Sequence, residues 1–477
     1  MLTTAQLTYE KLRFDEAKDL HLVVTLTAPR TAWQAKRPRI CVIPVIDVSG
    51  SMQGAKLHYA KQSVLKLVDH LAPGDLCGVV TFTDEVRTIA PPAELTQARK
   101  DALKAAVGEL ATQGSTNFAG GLLAGLECAA RVQVPPGTVK RVIMFTDGHA
   151  NVGVATKGPE LLRLLDAHLG DASVSAFGYG DDADQELLRD LATRGKGNYA
   201  FVQNPEDAIT AFARELGGLL STYARDVDVA VRPAPGARLL GVVSDVDATP
   251  DGGGVHLRIA DLLSEEVRHL VLGVALPAAA APGRAPVALV EVRYKVVDPD
   301  SARSREERFE VAVEVERVPA GEEQRAPTPA VDEVVALAEL VRAQIEAEEQ
   351  ARRGAFATAR DVMHTLHVAL HARGRGAAAD ACARVLATFA DRAAYEDSGS
   401  FRTSMKSGVT RGSRGMKHRD AEVLLRKSGV ALSTAAQDVM AERFREDDPK
   451  PPAPPAPPAP KTPRAPGTLA RKRSKRW

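Results

Sequence analysis

Between about 38 and 222 the chain alternates near-continuous apolar runs with amphipathic stretches. The apolar runs Arg39–Ile46, Leu76–Phe82, Arg141–Phe145, Ser173–Tyr179 and Tyr199–Val202 predict strands. The stretches near 54–71, 96–110, 117–131, 159–169, 183–193 and 205–221 carry helical spacing. Strands that are apolar on both sides expect cover on both faces, so the pattern predicts a doubly wound parallel α/β sheet, Rossmann-like in outline. Pro44 falls inside the first of these strands. A proline there removes a ladder donor, and a local bulge is expected.

After 224 the helical spacing disappears. Asp226–Arg232, Leu239–Val243, Gly254–Ile259, Arg268–Ala275, Ala288–Val297 and Arg308–Glu316 are short strand candidates separated by Gly and Pro turns, the signature of an all-β sandwich. The β-branched run His21–Thr27 lies ahead of the α/β segment with no sheet of its own. Residues 1–35 are therefore expected to pair into the sandwich of 223–318, which makes the α/β segment 36–222 an insertion. Helical spacing returns over 328–395, with Val334, Leu337, Val341 and Ile345, then Phe356, Val362, Leu366 and Leu370, then Ala381, Val385 and Phe389. Three antiparallel helices fit. The stretch from Glu349 to Arg360 resembles the turn of one tetratricopeptide hairpin, but a single unit is no array. Residues 396–448 read as a polar loop followed by a last helix from about 418 to 445. Residues 449–466 hold 10 of the chain's 30 prolines, and 449–477 is expected to be a disordered spacer with a basic end.

Composition narrows the function classes. Of 477 residues 44% are hydrophobic and 26% charged, which is ordinary for a globular chain. Aromatic residues are only 4%, which argues against nucleic-acid binding by stacking. No apolar run is long enough for a membrane span, and the first twenty residues contain no signal-like apolar core. The four cysteines, Cys41, Cys77, Cys128 and Cys382, are widely spaced and predict reduced thiols in a cytoplasmic protein. The formal net charge of +1 conceals an asymmetry. Seven positive charges and no acid lie in 461–477, which leaves residues 1–460 at −6. The basic end could make weak contact with a polyanion.

The strongest chemical signal is Asp47-Val48-Ser49-Gly50-Ser51 at the carboxyl end of the first apolar strand. Ligands gather outside the carboxyl ends of strands in open α/β sheets. A carboxylate and two hydroxyls on alternate residues form a hard oxygen set suited to Mg²⁺, Mn²⁺ or Ca²⁺. Gly114-Ser115-Thr116-Asn117 and Phe145-Thr146-Asp147-Gly148 lie on two further loops that would complete the shell. This order of residues resembles the von Willebrand factor type A domain and its metal-ion-dependent adhesion site, with Asp47, Ser49, Ser51, Thr116 and Asp147 all present. That resemblance covers about 38–222, and with the strands of 224–318 and the helices after them the chain overall resembles bacterial cytoplasmic relatives of inter-alpha-trypsin-inhibitor heavy chains. The resemblance implies that Ser49 and Ser51 bind a divalent cation directly, Mg²⁺ foremost. It implies that Thr116 binds directly or through water, and that Asp47 and Asp147 act through water and hydrogen bonds. One coordination position would then await an Asp or Glu of a protein partner.

That reading expects a binding or scaffold protein and not an enzyme. An alternative is an adaptor subunit of an AAA+ ATPase or chelatase-like complex, since the chain has no P-loop of its own. A metal-dependent phosphatase would carry more carboxylates or histidines. Gly178-Tyr179-Gly180 lacks the third glycine of a dinucleotide fingerprint. Asp361, His364, His367 and His371 recur along one helical face and are read as a half-exposed surface. Thr403, Ser404, Ser407, Thr410 and Ser413, among basic residues, are read as a solvated loop.

Overall fold

A computed structural model describes residues 1–31, 37–135, 137–148, 150–180, 183–202, 205–297, 305–399, 401, 402, 405, 425 and 433–446. The α/β sheet has six strands in the order β6-β5-β4-β7-β8-β9. These are β4 Ile40–Asp47, β5 Leu76–Phe82, β6 Val86–Glu94, β7 Val139–Thr146, β8 Ser173–Tyr179 and β9 Lys196–Val202. All neighbours are parallel except β5 and β6. Alternate residues of β4 feed the two faces. Ile40, Val42 and Ile46 enter a core with α1 (Ala55–His70), α2 (Gln97–Gly108) and α6 (Pro205–Leu220). Cys41, Ile43 and Val45 enter a core with α3 (Phe118–Arg131), α4 (Gly158–His168) and α5 (Gln185–Arg194). Continuous apolarity in the strand is thus the sum of two buried faces.

The bulge expected at Pro44 is absent. β4 keeps one register with each neighbour, from Cys41↔Leu76 to Asp47↔Phe82 and from Ile40↔Val139 to Ile46↔Phe145. The irregularity sits one strand away, where β6 slips against β5 beside Gly78. A Cβ on Gly78 would lie 2.8 Å from the Pro92 nitrogen. Edge strand β6 holds Pro91 and Pro92, the position where missing donors are tolerated.

Two further sheets face each other across one apolar core. One has the order β1-β3-β14-β11, from β1 Leu2–Leu7, β3 Lys18–Thr27, β11 Arg238–Val242 and β14 Val267–Leu276. The other has the order β12-β13-β10-β15-β16-β2, from β2 Lys11–Arg13, β10 Thr222–Pro233, β12 Asp247–Asp251, β13 Gly254–Leu263, β15 Gly283–Val296 and β16 Arg305–Val318. Leu22, Val24 and Leu26 of β3 meet Val229, Val231, Val290 and Val292 in that core. β3 runs antiparallel to β14, from Lys18↔Leu276 to Thr27↔Val267, so strands on either side of the α/β segment share a sheet. Leu220 ends α6 and Thr222 begins β10, with one residue between them.

The helices that follow are α7 Pro329–Arg352, α8 Phe356–Ala372, α9 Gly376–Ala387 and α10 Arg392–Asp397. α7 docks on the outer face of the first sheet, where Val331, Val335 and Ala338 pack on Val23 and Val271. Helix α11, Ala435–Glu446, returns to the α/β unit and lies against α6. Gly217 makes that approach close, since a Cβ there would be 2.8 Å from the Ala436 carbonyl oxygen. Thr434 and Gln437 cap α11 reciprocally, and Gln437 Nε2 also donates to the Arg214 carbonyl at 3.2 Å. Phe401, Arg402 and Met405, inside the stretch expected to be a polar loop, are helical and buried, with Phe401 and Met405 in the core of the helical module, while Thr403, Ser404, Ser407, Thr410, Ser413 and the proline-rich basic tail lie outside the described residues.

Candidate functional site

Strand order reverses between β4 and β7, and the carboxyl ends of these two strands carry Asp47 and Asp147. Both side chains are fully buried. Asp47 Oδ1 accepts from the Ser49 amide at 2.9 Å, and Oδ2 accepts from the Thr146 hydroxyl at 2.7 Å. Thr146 Oγ1 in turn accepts from the Gly148 amide at 2.9 Å. A 3₁₀ turn over Gly50–Met52 brings Ser51 back, so that its hydroxyl oxygen is 3.1 Å from that of Ser49. Ser49 is buried and Ser51 is exposed, which opens the hydroxyl pair to solvent on one side.

Backbone bonds tie the other loops to this one. The Gln113 amide donates to the Val48 carbonyl at 2.8 Å, and the Gly50 amide donates to the Gly114 carbonyl at 3.2 Å. Thr116 is buried, and its carbonyl accepts from the amides of Asn151 and Val152 at 3.0 and 3.3 Å. Asn117 caps α3 through the Gly120 amide at 2.9 Å. The loops that carry Asp47, Thr116 and Asp147 are therefore locked together by main-chain bonds.

Burial pushes the Asp47 carboxyl up to about 6. The hydrogen bonds from Ser49 and Thr146 counter that rise, and the charge of Asp147 adds to it. Asp147 Oδ2 accepts from Lys56 Nζ at 3.3 Å, whereas Oδ1 is buried with no hydrogen-bond partner among the described residues. The result is a desolvated pair of carboxylates ringed by hydroxyls, with one ammonium at its side. Lys56, in the first turn of α1, and the Thr146 hydroxyl are parts of this cluster to which the sequence reading gave no role. The i+9 spacing of Lys56 from Asp47 carries no recognisable pattern by itself.

The weaker candidates behave otherwise. On α8, His364, His371 and Asp361 are exposed, and His367 Nδ1 is 3.1 Å from the Ala379 carbonyl. Among the described residues no three His, Cys, Asp or Glu side chains converge to hold a metal. Gly178 serves packing, since a Cβ would lie 2.9 Å from Leu188 on α5. All four cysteines are free thiols. Among the described residues no helix is long and apolar enough to cross a membrane.

The von Willebrand factor type A domain family matches residues 42–215, the segment that carries all five oxygen-bearing residues. Residues 42–215 are a von Willebrand factor type A domain. An uncharacterized protein of Synechocystis is 26% identical over 270 residues, which cover 54% of this chain and 62% of that one. Inter-alpha-trypsin inhibitor heavy chain H1 of Sus scrofa is 30% identical over 188 residues, 38% of this chain but 20% of the relative. The chain thus spans less than two thirds of either relative. In structure, a von Willebrand factor type A protein from Catenulispora acidiphila superposes with a TM-score of 0.64 at 20% identity, covering 81% of this chain and 89% of that one. The ArnB paralog VWA2 from Sulfolobus acidocaldarius gives 0.54 at 14% identity, covering 87% and 99%. These two share the fold.

Proposed function

We propose that the type A domain captures an acidic side chain of a protein partner through a divalent cation, Mg²⁺ foremost, with Mn²⁺ or Ca²⁺ as substitutes. The observation that carries this reading is the buried, unpartnered Asp147 Oδ1 beside the desolvated Asp47 carboxyl. Two buried carboxylates with one ammonium beside them are under-compensated, and an external cation supplies what is missing. Ser49, Ser51 and Thr116 would offer hydroxyl oxygens to the ion, and Asp47 and Asp147 would hold its water and balance its charge. When bound, the cation supplies a Lewis-acidic position that accepts a carboxylate oxygen. Ser51, exposed at the rim, marks the side from which the partner arrives.

The chain's own residues do the rest. Thr146 and the Ser49 amide orient the Asp47 carboxylate, and the Gln113–Val48 and Gly50–Gly114 bonds hold the loops at fixed separation. The test is a thermal melt with Mg²⁺ and with EDTA, alongside a pull-down from native lysate eluted by EDTA. We expect Mg²⁺ at 100 times its dissociation constant to stabilise the fold by about 2.7 kcal/mol. Asp47→Ala should remove both that stabilisation and the EDTA-eluted partner. A partner retained through EDTA and through Asp47→Ala would overturn the reading.

A further inference from the structure

Val154 is the most exposed large hydrophobic side chain among the described residues, at 78%, and Val152 in the same loop is 36% exposed. The other exposed large hydrophobics, Leu2, Ile89, Leu240, Val267, Leu289 and Val368, are spread over six different elements. Single apolar side chains on a surface are ordinary, and Val152 and Val154 differ from the others in sharing one loop beside the site.

The loop that carries them is shaped by the site. The Asn151 and Val152 amides both donate to the Thr116 carbonyl, so the valine loop is hydrogen-bonded directly to the backbone of one proposed metal ligand. Gly153 has φ +110°, and a Cβ there would fall 2.2 Å from Asn117 Oδ1. Only glycine lets the loop close onto the cap of α3, and that closure turns Val152 and Val154 outward on either side of it. The rest of the rim is polar, with Ser51, Gln53, Ser115 and Asn151 exposed and the Lys56 ammonium half-buried. The rim therefore sets a polar site, into which the Lys56–Asp147 pair faces, beside an apolar edge.

We infer that the partner is a polypeptide segment carrying an Asp or Glu with an aliphatic or aromatic residue one to three positions away, the acid at the cation and the apolar side chain on Val152 and Val154. An extended chain advances about 3.3 Å per residue, so one to three positions cover about 3–10 Å, a short reach suited to a loop bonded directly to the Thr116 backbone. The acidic half of this recognition rests on the metal reading above, whereas the apolar half rests on the valine loop alone.

The experiment is an array of synthetic peptides with a central Asp or Glu and varied flanks, probed with the full chain in Mg²⁺ and in EDTA. The expected binders carry an apolar residue within three positions of the acid. V152S/V154S should weaken them on the order of tenfold while leaving weaker, EDTA-sensitive binding to peptides with polar flanks. Mg²⁺-dependent selection of acids with no preference for apolar flanks would overturn the inference and leave the metal reading standing. An array with no bound member, or V152S/V154S binding as the wild type does, would also overturn it. An apolar preference lost in V152S/V154S but indifferent to EDTA and to Asp47→Ala would uphold the valine loop and sink the metal reading.

Discussion

The two ends of strand β7 treat buried charge in opposite ways. Near its start, Arg141 is buried between two carboxylates, with Nη2 donating to Asp261 Oδ2 at 3.2 Å and Nη1 at 3.5 Å from Glu215. Ser175 and Asn198 donate to the Glu215 oxygens at 2.6 Å each, and Arg141 also donates to Ser175 at 3.0 Å. Beyond its far end, Asp147 and Asp47 are as deeply buried but have hydroxyls, one amide and one lysine for company. Arg225, with Nε 3.7 Å from Asp261 Oδ1, is the second cation there, so charge at the first end is neutralised within the protein, and it bonds the α/β unit to the sandwich strand β13. Charge at the second end is left in excess, which is how a site differs from a structural joint.

The largest expected effect breaks the joint. Arg141→Met leaves Glu215 without its cation and Asp261 with Arg225 alone, and should cost about 3–5 kcal/mol, read by urea unfolding. The same class of change at the other end should do the reverse. Asp147→Asn in EDTA should alter stability by no more than about 1 kcal/mol, yet abolish the Mg²⁺-induced rise of about 2.7 kcal/mol at 100 times the wild-type dissociation constant. An Asp147→Asn chain that unfolds early without metal would erase the contrast. Lys56→Met removes the resident ammonium that rivals an incoming cation. Mg²⁺ should then bind roughly tenfold tighter by calorimetry, and weaker binding would assign Lys56 a supporting role instead.

The smallest effect extends the comparison into the sandwich. Glu291 is surrounded by Arg293, Arg232 and Arg308, and the hydrogen bond from Arg293 heads the causes that hold its carboxyl down to about 2. A depressed carboxylate contributes stability above its unfolded value of 4.5 that is lost as pH falls toward 2. Glu291→Gln should therefore flatten acid unfolding across that window, and an unchanged acid limb would show that the arginines compensate elsewhere.

Much of this contrast is legible in the chain itself. β5 and β8 have the bounds that their apolar runs mark, Leu76–Phe82 and Ser173–Tyr179, because burial on both faces leaves an unbroken pattern. Asp47, Ser49 and Ser51 stand out because three oxygens on alternate residues follow such a run. Edge strand β6 was not legible, since Pro91 and Pro92 interrupt its pattern and solvent covers much of it. β12, exposed throughout over Asp247–Asp251, has no apolar alternation to announce it. Lys56 and Arg141 were missed for a different reason. A charged residue is read by its partner, and Asp147 lies 91 residues from Lys56 while Asp261 lies 120 from Arg141. Pro44 misled in the other direction, because a missing donor in β4 is absorbed without any change of register.

The interleaving of β3 and β10 with the sandwich has a mechanical consequence. The type A unit is joined to its base by two covalent crossings, one leading in from β3 and one leading out through Ser221, with the Arg141–Asp261 pair spanning the same junction. The Lys196–Asp226 pair and the Arg225 bond to the Asp171 carbonyl cross it too, so a tug on whatever the rim holds is shared among several attachments acting in parallel. The head is thereby a braced fixture that transmits tension into a sheet, and not a bead swinging on a tether.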